Sequence, residues 1–143
     1  GLKNVRWPGR LEHRRLASGA EIVLDAAHNP AGAAALASYL RGLKTAKPTL
    51  VFGAMRDKDV DGMLAALLPV VGREVVTRPS NPRAEDPEVL AARIRTLAPD
   101  LDVQVVATPI AALTQATGHS ALTVVAGSIF LLGDVMQETG ASF

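Results

Sequence analysis

The segment "VLDAAHNPAG", residues 23 to 32, places three polar side chains at one predicted corner between a strand and a helix. Asp25 can accept hydrogen bonds from hydroxyl groups such as those of a ribose. A neutral imidazole at His28 has one acceptor nitrogen, which can take a hydrogen bond or a proton from an approaching amine. Ligands of open parallel sheets bind beyond the carboxyl ends of the strands, so this position favours a binding site.

Each of these side chains also has a structural explanation. Asn29 is well placed to cap the following helix, Asp25 could bind loop amides, and His28 could be a structural histidine. Three polar side chains converging where a sheet opens favour the functional interpretation.

The elements that must position these residues follow a regular pattern. Short β-branched runs alternate with alanine- and leucine-rich amphipathic stretches, which is typical of βα units. We predict parallel strands at 21–26, 48–54, 73–77, 102–106 and 121–127, preceded by an antiparallel edge strand within 10–17. We predict helices at 31–43, 59–71, 86–98, 109–118 and 128–140. The predicted fold class is α/β, a Rossmann-like and mostly parallel six-stranded sheet with one antiparallel edge strand and helices on both faces.

Local signals mark where these elements begin and end. The pairs Asn29–Pro30 and Asp86–Pro87 predict an N-cap followed by proline at the first helical position, where the missing N–H costs nothing. Gly118 and Gly140 predict helix ends. The proline-rich segment 78–87 predicts a loop.

Composition excludes several classes of function. The net charge of +1 gives no reason to expect a nucleic-acid partner, and the absence of cysteine excludes disulfides and thiolate metal sites. No apolar stretch reaches the length of about 18 residues that a membrane span requires, and the first ten residues lack the apolar centre of a signal peptide. We therefore expect a soluble, cytoplasmic protein without a membrane partner.

The spacing of lysine, glycine and histidine residues excludes several known binding motifs. No lysine follows a glycine, so there is no P-loop, and no two glycines stand one residue apart, so the dinucleotide fingerprint is missing. The three histidines are far apart, and none forms a helical His-x-x-x-His pair. We therefore predict no metal site within the chain.

Five segments carry a resemblance to a known family. They are "WPGRLE" (7–12), "LDAAHNPAGAAAL" (24–36), "VFGAMRDKD" (51–59), "NPRAEDPEVL" (81–90) and "VVAGSIFLLGDV" (124–135). In this order they resemble the C-terminal domain of bacterial folylpolyglutamate synthase/dihydrofolate synthase, of the Mur ligase superfamily. The resemblance implies that residues 1–143 form one Mur ligase-type domain. It also implies that the P-loop ATPase domain, which comes first in full-length members, lies outside this chain, which is then a fragment.

The resemblance also implies a reaction. In this family ATP phosphorylates the carboxylate of a folate-type substrate, and the amino group of L-glutamate attacks the acyl phosphate. The implied small-molecule partners are ATP, L-glutamate and (dihydro)pteroate or folate. Mg²⁺ is held mainly by the N-terminal P-loop domain, which is the implied protein partner. The C-terminal domain closes over ATP, positions glutamate and is inactive alone.

Site residues follow from the resemblance one by one. Arg10 matches an arginine that contacts the ATP phosphates, and Asp25 matches an acid that meets the nucleotide. His28 matches a histidine between nucleotide and glutamate, and is the predicted catalytic residue. Ser128 matches a residue that helps to hold glutamate. Weaker candidates are Asn29, Lys58 and Arg83.

Two alternatives remain open. One is a sibling Mur ligase that adds an amino acid to a cell-wall precursor. The other is a stand-alone α/β module that binds a nucleotide or a protein without chemistry. One departure from the family pattern is Ala26, where many relatives have glycine. Trp7 is expected to pack against the sheet edge.

Overall fold

The computed structural model describes residues 10–138 of the 143-residue chain. Its strands are β1 (Glu12–Arg15), β2 (Glu21–Leu24), β3 (Thr49–Phe52), β4 (Arg73–Val76), β5 (Asp102–Val105) and β6 (Leu122–Ala126). Its α-helices are α1 (Pro30–Arg41), α2 (Val60–Leu67), α3 (Pro87–Leu97), α4 (Pro109–Thr117) and α5 (Ile129–Glu138). Within this part of the chain, no helix combines the length and the apolar character needed to cross a membrane.

The six strands form one sheet in the order β1-β2-β6-β3-β4-β5. Every neighbouring pair is parallel except β1 and β2, which run antiparallel with Glu12 opposite Leu24. The predicted fold class is therefore confirmed, including the antiparallel edge strand. The carboxyl ends of β2, β6 and β3 lie side by side, so the loops that follow these strands meet at one edge of the sheet.

Helices cover both faces of the sheet, and alternate strand residues divide between them. Val124 and Ala126 face α1, α2 and α3, whereas Val125 between them faces α4 and α5. Successive side chains of a strand point to opposite faces, so β6 contributes to both apolar cores. Burial on both faces explains why the predicted strands are nearly continuous in apolar character.

The strands are shorter than predicted, and one helix changes its form. The edge strand predicted within 10–17 spans only Glu12–Arg15, because Leu11 leaves the extended conformation with φ of 48° and a turn follows Leu16. The helix predicted over 59–71 becomes a 3₁₀ turn at Leu68–Val70. Proline at position 69 has no N–H to donate, so it cannot continue the α-helical ladder.

The predicted helix starts are confirmed in atomic detail. The Oδ1 atom of Asn29 accepts a hydrogen bond from the Gly32 N–H at 2.8 Å, and the Oδ1 atom of Asp86 accepts one from the Glu88 N–H at 2.9 Å. Gly118 follows the last residue of α4 as predicted. The predictions for Trp7 and Gly140 lie outside the described residues.

Candidate functional site

A first cavity of about 410 Å³ lies between the edge segment at residue 10 and the start of α1. Its lining includes Arg10, Asp25, His28 and Asn29, together with the first turn of the helix. The structure therefore brings together the guanidinium, carboxylate and imidazole groups of residues 10, 25 and 28, the first and last of which are 18 positions apart in the sequence. The amides of a first helical turn carry partial positive charge, so this cavity suits a ligand with anionic groups.

Asp25 is almost fully buried at the floor of this cavity, with 7% of its surface exposed. Its Oδ1 atom accepts a hydrogen bond from the Ala27 N–H at 2.8 Å, and its Oδ2 atom accepts one from the Leu11 N–H at 3.1 Å. Burial raises the pKa of the Asp25 carboxyl above its ordinary value of 3.8, while these two N–H groups and the positive charge of Arg10 oppose the shift. The carboxylate thus holds the local backbone, and its remaining lone pairs are available to a ligand.

His28 is exposed and lies directly after the buried corner. Its Nδ1 atom lies 2.9 Å from the carbonyl oxygen of Ala26. A carbonyl oxygen can only accept, so Nδ1 carries the hydrogen in this contact and Nε2 is the acceptor nitrogen of the neutral ring. The backbone therefore orients the imidazole and leaves Nε2 for a ligand.

A second cavity, of about 240 Å³, lies on the other side of His28. His28 lines this cavity as well, together with the cationic side chains Lys58 and Arg83 and with Ser128. The loops that follow β2, β3, β4 and β6 each contribute at least one lining residue. One histidine thus lies between two cavities that both contain basic side chains.

The loops that carry Lys58 and Arg83 are bound to each other. The guanidinium of Arg83 pairs with Asp57 at 3.0 Å, and its carbonyl oxygen accepts the Arg56 N–H at 2.8 Å. The Glu85 N–H donates to the Ala54 carbonyl oxygen at 2.8 Å. Arg83 is therefore held by an ion pair and by a backbone hydrogen bond, although its side chain remains more than half exposed.

Ser128 begins the last helix and is nearly buried, with 2% of its surface exposed. Its Oγ atom accepts the Phe130 N–H at 3.0 Å, so the hydroxyl caps α5 as its position predicts. Gly127 before it has φ of +118°, and a Cβ atom there would lie 2.3 Å from the Gly53 carbonyl oxygen. Only glycine fits this close approach, which places Ser128 against the second cavity.

The second cavity has an apolar wall whose residues are not among the predicted site residues. Met55, Ile129 and Phe130 line it, and Ile129 is 57% exposed. A signal was present in "GSIFLLGDV", which has apolar residues at more consecutive positions than one helix face can bury.

The candidate residues differ in how much their side chains are already used. The side-chain oxygen of Asn29 already accepts a hydrogen bond that caps α1, and the guanidinium of Arg83 is paired with Asp57. Arg10, Asp25 and His28 share the first cavity, and Ser128, Lys58 and Arg83 share the second with His28. Across residues 10–138, no group of three or more His, Asp or Glu side chains could hold a metal ion.

A family model described as Mur ligase, glutamate ligase domain, matches residues 9–129. The match includes every residue that lines the first cavity, all those that line the second except Phe130, and the six strands of the described part of the chain.

Two relatives carry folate-related names. The dihydrofolate synthase/folylpolyglutamate synthase of Mycobacterium tuberculosis is 49% identical over 92 residues, which cover 64% of this chain and 18% of that protein. A probable bifunctional folylpolyglutamate synthase/dihydropteroate synthase of Halobacterium salinarum is 38% identical over 148 aligned positions, which cover 100% of this chain and 17% of that protein.

Solved structures show the same fold. The folylpolyglutamate synthase of M. tuberculosis complexed with ADP and AMPPCP has a TM-score of 0.88 and 36% identity, over 97% of this chain and 34% of that one. A bifunctional folylpolyglutamate synthase/dihydrofolate synthase with Mn, AMPPNP and L-glutamate bound has a TM-score of 0.81 and 25% identity, over 94% and 32%. The chain thus spans about a third or less of the length of these proteins.

Proposed function

The chain belongs to the Mur ligase family, in its glutamate ligase domain, and we propose that it is the C-terminal domain of an ATP-dependent ligase. The reaction proposed is the addition of L-glutamate to (dihydro)pteroate or folate through an acyl phosphate. The folate branch is favoured because the two relatives and two solved structures described above all have folate-related names.

The observation that carries this proposal is the position of His28 between the two cavities. A ligase of this type must bring a phosphorylated carboxylate and an amine together. A single imidazole that faces both compartments, with its Nδ1 atom already bonded to the backbone, suits a group placed between the two reactants.

We assign the first cavity to the nucleotide. Arg10 is an exposed guanidinium, whose planar and permanent charge suits phosphate oxygens. Asp25 keeps unused lone pairs beside its two backbone contacts, and a ribose hydroxyl can donate to them. The amide group of the Asn29 side chain lies at the same opening, although its oxygen is committed to the helix cap.

We assign the second cavity to L-glutamate. Lys58 and Arg83 supply positive charge for carboxylates, and Ser128 lies at the N-terminus of α5, where the helix dipole also favours an anion. The apolar side chains of Met55, Ile129 and Phe130 can contact the methylene groups of the amino acid. The volume of about 240 Å³ suits a small molecule of this kind.

In the proposed step, the glutamate nitrogen attacks the carbonyl carbon of the acyl phosphate. A C–N bond forms, the bond between the acyl carbon and the bridging oxygen breaks, and inorganic phosphate leaves with that oxygen. The attacking amine must lose a proton, and the Nε2 atom of His28, hydrogen-bonded to the N–H, accepts it. The cations around the second cavity hold the glutamate while this happens.

We place the other half of the site on a second domain. The family resemblance implies that Mg²⁺ and the first phosphoryl transfer belong to an N-terminal P-loop domain of the same enzyme, and the sequence of this chain contains no P-loop of its own. Closure between the two domains would then complete the site, and this domain alone would bind ATP weakly and form no product.

The test is His28→Ala in the intact ligase that contains this domain. Without glutamate, the variant should still release ADP with dihydropteroate or folate as acceptor, because phosphoryl transfer does not use the imidazole. With glutamate present, kcat for amide formation should fall by about 100-fold or more. His119→Ala is the matched control, because this exposed histidine lines a different cavity together with residues at the amino ends of β2 and β6, and it should leave kcat unchanged.

Other outcomes would redirect the proposal. Unchanged amide formation in His28→Ala would contradict it. If the intact enzyme used a nucleotide-linked muramyl peptide as its acceptor, the result would favour a cell-wall ligase. Product formation by the 143-residue chain alone would overturn the assignment of the first step to another domain.

A further inference from the structure

Leu11 has an unusual backbone conformation at the edge of the first cavity. Its φ of 48° is the one positive φ among non-glycine residues between positions 10 and 138. The left-handed region brings Cβ close to the carbonyl oxygen, so a residue such as leucine occupies it only where its surroundings hold it there. Leu11 stands between Arg10 and the first residue of β1.

The carboxylate of Asp25 is one group that holds this conformation. Glu12 lies opposite Leu24 at the last pair of the β1–β2 ladder, and Leu11 and Asp25 are the next residues beyond that pair. The Leu11 N–H bonds to the side chain of Asp25 at 3.1 Å. The other carboxylate oxygen accepts the Ala27 N–H. The Asp25 N–H donates to the Val125 carbonyl oxygen of β6 at 3.0 Å, so Asp25 is itself held just after the end of β2.

The side chain of Leu11 provides a second anchor. It is partly buried and packs against the apolar core below α1. With the N–H and the side chain both held, the left-handed residue fixes the direction from which Arg10 approaches the first cavity.

We infer that Asp25 is a positioning residue that acts through Leu11 to aim the guanidinium of Arg10 at the nucleotide. This inference rests on the proposed function, because it takes the first cavity as the ATP site. It assigns Asp25 a role that does not depend on touching the ligand. If the hydrogen bond between the Leu11 N–H and the Asp25 carboxylate is lost, Leu11 relaxes towards a negative φ. The guanidinium of Arg10 then moves away from the position in which it can bond to phosphate oxygens.

The test compares Leu11→Val with Leu11→Asn in the intact ligase. Valine keeps apolar contact but resists the left-handed region, whereas asparagine loses the contact and tolerates that region. We expect Leu11→Val to raise KM for ATP by about tenfold, and Leu11→Asn by about threefold or less. A purely packing role for Leu11 predicts the opposite order, so that order would overturn the inference. If Leu11→Val does not fold, Leu11→Ala replaces it, because alanine also lacks the tolerance of asparagine.

A double variant separates positioning from general damage. Leu11→Val should add little to the effect of Arg10→Ala, because both remove the same contact. Additive effects on KM for ATP would overturn the inference. The preference for ATP over 2′-deoxy-ATP should be unchanged in Leu11→Val, since the Asp25 carboxylate is intact; a lost preference would show that the ribose contact, not Arg10, was disturbed.

The controls distinguish this inference from the proposed function. If Arg10→Ala leaves KM for ATP unchanged, the nucleotide assignment of the first cavity fails, and the inference fails with it. If Arg10→Ala raises KM while Leu11→Val does not, only the inference fails.

Discussion

Two buried carboxyl groups in this domain have opposite surroundings. Asp25, at the carboxyl end of β2, accepts two backbone N–H groups and lies near Arg10. Glu74, in the middle of β4, is fully buried, and neither of its carboxyl oxygens has a hydrogen-bond partner. Burial raises the pKa of both groups, but for Glu74 nothing opposes it.

The difference shows how a buried carboxyl becomes useful. A carboxylate that bonds to N–H groups can stay charged and fix the backbone around it, whereas an unpartnered one is more stable as the neutral acid. The donors at Asp25 come from a loop and from the edge segment, both of which line the first cavity. No donor from residues 10–138 bonds to the carboxyl group of Glu74, so its burial is not offset by hydrogen bonds.

The largest effect that separates the two regions is expected from Asp25→Ala. It should lower the free energy of unfolding by about 2 to 4 kcal/mol, because the N–H groups of Leu11 and Ala27 lose their acceptor in a mostly buried place. Urea unfolding of the 143-residue chain, followed by circular dichroism, measures this change.

Asp25→Asn is the matched control for that measurement. It keeps one carbonyl acceptor and should cost about half as much. If Asp25→Ala were as stable as the unmodified chain, water would be able to replace the hydrogen bonds of Asp25 to Leu11 and Ala27. Those bonds would then not distinguish the energetics of Asp25 from those of Glu74.

A smaller effect, of opposite sign, is expected from Glu74→Met. Methionine has a similar size and no polar atoms to desolvate, so the free energy of unfolding at pH 7 should rise by about 1 to 2 kcal/mol. The same urea unfolding experiment provides the measurement.

The pH dependence identifies the cause of that gain. The pKa of Glu74 in the folded chain lies well above its ordinary value of 4.5, so the folded state holds a proton that the unfolded state loses. The contribution of Glu74 is therefore fully present below pH 4.5 and is lost as the pH rises through the folded-state pKa. Glu74→Met should flatten this decline, and Glu74→Gln should flatten it as well. An unchanged pH profile would contradict a neutral Glu74.

The smallest effect on the free energy of unfolding is expected at an exposed carboxylate, Asp57, in contrast to the buried carboxyl groups of Asp25 and Glu74. Asp57 pairs with Arg83 at 3.0 Å, and more than half of each side chain is exposed. Asp57→Asn should change the free energy of unfolding by less than about 0.5 kcal/mol, because water and salt screen the pair. Differential scanning calorimetry can measure this change at low and high salt. A loss of more than 1 kcal/mol would mean that the loops bearing Lys58 and Arg83 depend on this pair.

Much of the fold could be predicted because its determinants are local. Short β-branched runs that alternate with amphipathic stretches predicted the six strands and five helices seen in residues 10–138. The pairs Asn29–Pro30 and Asp86–Pro87 predicted helix starts that the structure confirms. The lengths of the elements were less predictable. The 3₁₀ turn at Leu68–Val70 and the short edge strand depend on how the chain packs at the ends of these elements, which periodicity does not encode.

By itself, the sequence determined the fold class, the corner that carries Asp25 and His28, and the family resemblance from which roles for Arg10 and Ser128 are predicted. Only the tertiary structure decided that His28 lies between two cavities, that Asp25 holds a left-handed Leu11, and that Glu74 lacks a partner. The physical reason is that strand order and register set which distant loops meet. Residues 28, 58, 83 and 128 become neighbours only because β2, β6, β3 and β4 lie side by side in one sheet.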